Sequence, residues 1–498
     1  MMATVMTAGT VAAQPAALPA VPAFEVTAGA PGAKGVRELL SADRALLGTD
    51  VTVAGYVLWI YDCPTAVRRK GESAAATKRR IEADPTLCER PKFYLGDHKD
   101  AALETSLWIV DVPRPYNKLE VDRIPIADRT HPDRCEPVPR HEPPRLCFPL
   151  AVGDYVTVTG TFATTSPHAE RNSDGLVVFK GQARTQPPAR PTMIALPSPT
   201  VTSLPALVAT PVVKKPSSWQ AHADSVTAAN EGNKAYAQQD YAKAKLFYDR
   251  AVALWDGNHA ALFGLAGVAI FAVKDRPDWA GTAAAAAQAF ALAPGQPLYA
   301  SLWGRATYEL AIAAARGQPN AGPIDQTRAE QLFRYAIKLD PTSWREHYYL
   351  GRILRDSGRM KAAADELTVA LSSSPTESAP WVALGELYRK YGYPAESIAV
   401  TTLGVSLVKG DESSDVWFVL GLAHHALHQD EQAVLAFTEA VTARPGNAKA
   451  LFQRGQTFHR LKRPKQARAD LQAYLAAGTG DPLADQQAKK LLVDLGVR

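Results

Sequence analysis

The residues best able to do chemistry in this chain of 498 residues are four cysteines and a few histidines. Cys63 and Cys88 bracket one long insertion between apolar runs, and Cys135 and Cys147 bracket a second, "EPVPRHEPPRL". Four cysteines allow three pairings, and the bracketing of two otherwise floppy loops favours Cys63 with Cys88 and Cys135 with Cys147. Closing each loop would contribute roughly 3 kcal/mol in the chain-entropy account. Such bonds need an oxidising compartment, such as a bacterial periplasm or the cell exterior, while free thiols would fit a cytoplasmic protein. A zinc site with His131 and His141 is a third reading, weakened by the lack of any Cys-x-x-Cys pair. His424, His425 and His428 in "LAHHALHQ" put 424 and 428 on one helical face, but no Glu follows the first His, so packing or surface histidines are expected and no metal. A Gly-rich phosphate loop, Gly-x-Ser-x-Gly, His-Glu-x-x-His and a clear carboxylate pair are all missing from the sequence. A non-enzymatic protein without a cofactor is the expectation.

A second chemistry is suggested by Tyr56, Trp59, Tyr61, Phe93, Tyr94 and Trp108, near the basic runs "RRK" at 68–70 and "KRR" at 78–80. Aromatic rings over a basic groove stack the bases of single strands. Aromatics at strand spacing more often fill a core, and the basic runs are interleaved with Glu72, Glu82 and Asp84. Single-strand binding is therefore the alternative reading.

The elements that must position these residues follow from composition. With 46% apolar and 21% charged residues, the chain has an ordinary folded composition and the length for two or three domains. A formal charge of +5 over this length argues for neither a nucleic-acid binder nor an enzyme of acidic substrates. No apolar run reaches the 18 residues of a membrane span. Residues 1–34 are small and apolar, without Lys or Arg before Lys34; they read as a disordered Ala/Pro leader or a degenerate signal peptide. Residues 35–185 alternate β-branched and polar positions, 186–217 form a semi-stiff proline-rich linker, and 218–480 carry Ala, Leu and Tyr at helical spacing. Residues 481–498 suit a capping helix, with Asp481 at its N-cap and Leu483, Ala488, Leu491, Leu492 and Leu495 on one face.

The helical region repeats. From Gly351 an Ala follows at +12, a Leu at +16, an Ala at +19 and a Pro at +24; Gly421 repeats this with Ala433, Phe437, Ala440 and Pro445. Weaker copies begin at Gly232, Gly385 and Gly455, and Gly267 and Gly304 fit with insertions. This pattern resembles the tetratricopeptide repeat, whose helix-turn-helix unit is 34 residues long, over about seven units. Such units stack because none buries its apolar face alone.

The resemblance implies a concave groove lined by the first helix of each unit. The groove positions carry over to Asn233 and Tyr236, then Arg305 and Tyr308, then Arg345, Tyr348, Arg352 and Arg355, then Arg389 and Lys390, and finally Gln456, His459 and Arg460. Arginine forks take carboxylates in bidentate fashion and tyrosines supply stiff contact area, so the implied partner is an acidic peptide or protein segment. The same arginines could instead be solubilising and paired to Glu309, Asp356 and Glu386. The Lys/Asn set with which some family members clamp a C-terminal carboxylate is not reproduced, since Ala229 and Val268 stand where it needs Lys or Asn.

Five strand-like runs, "GTDVTVAGYVLWIYDC", "KFYLGD", "TSLWIVDVP", "VGDYVTVTGTFATTS" and "DGLVVFKGQAR", follow the short helix "VRELLSADRALLG". Their layout resembles a barrel of the OB-fold type. The expected architecture is an all-β OB-like barrel followed by an all-α solenoid. The expected function is an adaptor or scaffold for a protein partner.

Overall fold

The computed structural model describes residues 18–41, 46–69, 71–84, 87–101, 106–112, 150–167, 172–196, 207, 210–273, 276–316, 326–478 and 482–496. One compact unit spans Ala23–Ser373 with Lys390–Gly392, and a second takes in Ser374–Arg389 and Tyr393–Arg498.

The first unit opens with β1 (Glu25–Thr27), α1 (Val36–Ser41), β2 (Asp50–Ile60), α2 (Cys63–Val67) and α3 (Ala74–Ala83). Then come β3 (Phe93–Gly96), β4 (Leu107–Val110), β5 (Tyr155–Thr165), β6 (Asn172–Arg184) and β7 (Met193–Ala195). Strands β2-β3-β4-β6-β5 close a barrel, with β5 pairing back onto β2. All pairings are antiparallel except β4 with β6, where Ile109 faces Val177. The layout is OB-like. Alternation turns Val53, Val57, Phe93, Leu95, Leu107, Ile109, Val156, Val158 and Phe162 into one dry core, which α1 closes with Val36 and Leu39. Asp97, just after β3, accepts from the backbone N–H of Val36 at 2.7 Å and of Arg37 at 3.0 Å, satisfying the start of that helix. Gly55 is needed where β2 meets β3: a Cβ there would lie 2.8 Å from the Gly96 carbonyl oxygen.

Three sequence expectations are corrected. The loop between Cys63 and Cys88, expected to be floppy, contains α2 and α3, capped by the side chains of Asp62 and Ser73. Cys63 and Cys88 are joined as a disulfide with Cα atoms 5.4 Å apart, while Cys135, Cys147, His131 and His141 lie outside the described residues. Second, β1 lies in the span read as leader and β7 in the span read as linker, and the two pair antiparallel, Glu25 opposite Ala195 and Thr27 opposite Met193. Backbone hydrogen bonds from Ala28 to Thr192 and from Leu196 to Phe24 extend this clasp. Strands of three residues are too short to show a period. Third, the end of the linker is docked: Leu207 packs among Leu262, Ala289 and Phe290, and the Val212 N–H donates to the Ala291 carbonyl. The Trp255 indole donates to the Lys214 carbonyl, and Lys214 pairs with Asp256 at 2.7 Å. Proline removes backbone donors, but it leaves carbonyls and apolar side chains free to make contacts.

The remaining helices of this unit are α4 (Trp219–Ala237), α5 (Tyr241–Leu254), α6 (His259–Phe271), α7 (Trp279–Leu292), α8 (Pro297–Arg316), α9 (Thr327–Leu339), α10 (Trp344–Asp356) and α11 (Met360–Ser373). The second unit holds α12 (Ser378–Lys390, its last residue counted with the first unit), α13 (Pro394–Leu407), α14 (Ser413–Ala426), α15 (Asp430–Ala443), α16 (Ala448–Arg460), α17 (Pro464–Ala476) and α18 (Pro482–Asp494). The +16 spacing of the sequence pattern is a packing contact. A Cβ on Gly232 would lie 2.6 Å from the Tyr248 ring, and one on Gly351 would lie 2.8 Å from Leu367. Gly267 departs from the pattern: it faces Tyr236 of the preceding helix pair. The turn between paired helices uses the residue seven after the pattern glycine in the left-handed region, as Gln239, Gly358, Gly392, His428 and Lys462. His428 thus has a backbone role. In α18, Ala488 and Leu492 are buried against Leu451, Phe452, Leu471 and Tyr474.

Buried polar clasps tie successive pairs. The Ser225 hydroxyl donates to the Ala251 carbonyl and accepts from the Asn258 amide, whose oxygen caps α6 at Ala261. Ser414, Ala440, Asn447 and Ala450 repeat this arrangement in the second unit.

Candidate functional site

In the first unit six of the expected groove residues lie on two first helices, Arg305 and Tyr308 on α8 and Arg345, Tyr348, Arg352 and Arg355 on α10. Tyr308 on α8 is buried, and its hydroxyl donates to Asp356 Oδ2 at 2.8 Å. Burial and the Asp356 charge hold its phenol well above the ordinary tyrosine range. Asp356 Oδ1 accepts from Nε and Nη2 of Arg355 at 2.8 and 2.7 Å, so Arg355 is already neutralised within its own helix. Arg352, one turn earlier, lies over the rings of Tyr308, Tyr348 and Tyr349 at 4.8, 5.6 and 5.6 Å from their centroids. Its nearest carboxylate is Glu309, at 3.8 Å.

Arg305 comes to the same place from α8. Its guanidinium lies over Trp279 at 5.2 Å and Tyr349 at 5.7 Å, and its Nε is buried without a hydrogen-bond partner. Tyr349 is thus shared by two guanidinium groups, while Phe333 of α9 stacks on it with ring planes 6° apart. Burial pushes the Tyr349 phenol above the ordinary tyrosine range, and the two arginines offset this only in part. Cation–π contact holds a guanidinium in place without consuming its N–H donors. Arg345 is exposed and lies over Trp344 at 4.8 Å.

The other expected residues are not gathered there. Asn233 accepts from the Tyr248 hydroxyl at 2.8 Å, and half-buried Tyr236 packs edge-on against Tyr241 and Phe271. Lys390 is exposed and Arg389 half-buried, with an unpartnered Nε. In the second unit Gln456 and His459 are half-buried, whereas Arg460 is occupied by Asp430, 2.7 Å away, and by His425. His424 bonds Gln429, and among the described residues no three His, Cys, Asp or Glu side chains gather as a metal group.

Sequence reasoning missed Trp279 and Tyr349. Trp279 is the first residue of a second helix, outside the groove positions, and Tyr349 is masked by Tyr348 beside it. The pair "YY" within a first helix, one residue off the groove position, was the available signal.

On the barrel, Phe93 is interior. Trp59, Tyr61, Tyr94 and Trp108 cluster with one another instead, and Lys92 lies over Tyr61 and Trp108 while bonding Glu89. Arg68, Arg69 and Arg79 are exposed, and Arg80 is paired with Glu72 at 2.9 Å. Among the described residues no helix is long and apolar enough to cross a membrane.

Residues 326–378 and 418–482 match the family model described as tetratricopeptide repeat. No curated protein matches the chain in sequence. Among solved structures, the chain is similar to the APC/C hetero-tetramer Cut9-Hcn1 (14% identity, TM-score 0.40, covering 53% of this chain and 46% of that one). It is also similar to yeast Tom70 (13%, 0.39, 56% and 55%) and to a tetratricopeptide repeat protein from Parabacteroides merdae (11%, 0.42, 54% and 99%). The chain spans about half the length of the first two.

Proposed function

We propose that this protein, a tetratricopeptide-repeat chain preceded by an OB-like barrel, is a non-enzymatic scaffold whose repeat groove binds an acidic segment of a protein partner. One observation carries the reading: Arg305 and Arg352, from successive first helices, are held on aromatic rings, and among the described residues Arg305 Nε has no hydrogen-bond partner while Arg352 meets a carboxylate only at 3.8 Å, in Glu309. Half-buried guanidinium groups without acceptors are costly unless a ligand supplies them. Tyr348, Tyr349 and Trp279 add rigid apolar area, the kind of surface that carries binding energy at interfaces.

The test is site-directed photo-cross-linking in the native host. A benzoylphenylalanine in place of Tyr348 should capture a protein that the same group in place of the exposed Lys361 on α11 does not. Capture should be lost in Arg305→Gln/Arg352→Gln. Equal capture at the two positions, or none at position 348, would overturn the reading.

A further inference from the structure

Resting on that reading, we infer that the groove recognises one side-chain carboxylate next to a large apolar residue, held jointly by Arg305 and Arg352 beside Tyr349, and does not recognise a run of acidic residues.

The argument is one of charge and occupancy. Of the groove arginines in this cluster, Arg355 is consumed by Asp356, whose second oxygen is taken by Tyr308. Farther along the repeats, Arg460 is consumed by Asp430. Arg345 is exposed and lies over Trp344 instead; the two guanidinium groups that share Tyr349 have their carbons 5.7 and 5.6 Å from its ring centre, so one short ligand segment can meet both. Glu309 stands 3.8 Å from Arg352 without a hydrogen bond. Two cations against one acid leave a single positive charge, which one carboxylate neutralises. A second carboxylate would find no further cation at Tyr349 and Glu309 as a like charge nearby. Fork geometry allows bidentate bonding from either arginine, which a lysine could not reproduce. The apolar requirement comes from the half-buried rings of Trp279 and Tyr348, which lie against Arg305 and Arg352 and offer apolar area to the residue beside the carboxylate.

The experiment is selection of a displayed random-peptide library on the full-length protein and on Arg305→Gln/Arg352→Gln. Enriched sequences should carry one Asp or Glu beside Phe, Leu, Trp or Tyr. A synthetic peptide of that sequence should lose about 10- to 100-fold in affinity with Arg352→Gln, the range for losing a hydrogen bond to a charged group. Arg352→Lys should recover only part of this, and Arg460→Gln should change nothing. Because Arg352→Lys keeps the charge and bulk, it also serves if the Gln variants fold poorly, a point checked by circular dichroism. Enrichment of poly-acidic peptides that depend on both arginines would overturn this inference and leave the groove reading standing, whereas neutral peptides, or acidic peptides indifferent to both arginines, would overturn the groove reading as well. Failure to enrich any peptide would overturn both.

Discussion

Lys462 holds φ at 56° in the same turn position where Gly358 holds 79°. Both sit seven residues after the glycine that packs against the second helix, and the turn demands a left-handed backbone whatever residue is there. For an L side chain this conformation costs roughly 1–2 kcal/mol. Lys462→Gly and His428→Gly should therefore raise stability by up to about 1 kcal/mol each, allowing for the extra freedom glycine gains when unfolded. Urea unfolding measures it. A loss of stability in both variants would mean that the side chains, and not the backbone, determine this turn.

The Ser225–Asn258 and Ser414–Asn447 clasps are chemically identical and stand in different units. Asn447→Ala removes a helix cap and the hydrogen bond that the buried Ser414 hydroxyl accepts, at a cost of about 1–2 kcal/mol. Asn258→Ala should cost the same. Thermal unfolding monitored by hydrogen exchange in each unit would show whether the two decrements agree.

Glu330 on α9 accepts both Nη atoms of Arg359 and is also bonded by Arg334. Burial alone would raise its pKa, but the hydrogen bonds from Arg359 and Arg334 outweigh it and hold the carboxyl below its ordinary value. A depressed folded pKa gives stability that is fully present above the unfolded value, near 4.3, and lost as pH falls through the folded value. Glu330→Gln should cost about 3 kcal/mol at neutral pH, because it leaves Arg359 buried without its counter-ion. The variant should also be less sensitive than wild type to pH below about 5. Unchanged acid sensitivity would assign that limb to other carboxylates.

The Cys63–Cys88 bond closes the segment that contains α2 and α3. Its reduction should cost roughly 3 kcal/mol and loosen these two short helices before the barrel. Alkylation of the unreduced protein should leave both cysteines unlabelled, which peptide mapping can resolve residue by residue. Labelling of either one before reduction would count against the bond.

Most of the repeat architecture is legible in the sequence because its signature spacings are contacts: Gly351 and Leu367 recur at a fixed interval because one makes room for the other. The barrel is legible for a similar reason, since Val53, Val57, Val156 and Val158 alternate with polar residues. What escapes is whatever depends on position in space without a period. The clasp strands are too short, the docked Leu207 lies in a segment whose composition suggests a tether, and Trp279 joins Arg305 from another helix. The candidate groove was legible as a set of positions. Which of its arginines retain free donors was not, because Asp356 and Asp430 select among them only once the helices are in place.

The pairing of β1 with β7 has a mechanical consequence. Phe24 and Leu196, joined by the outermost hydrogen bond of the clasp, are also where the chain leaves it in both directions. Tension applied to the chain on either side of the barrel would therefore meet the hydrogen bonds one after another, as in a zipper, rather than all at once in shear. The clasp would yield at low force and lengthen the chain before any load reached the closed barrel strands, making these few residues a fuse for the module they enclose.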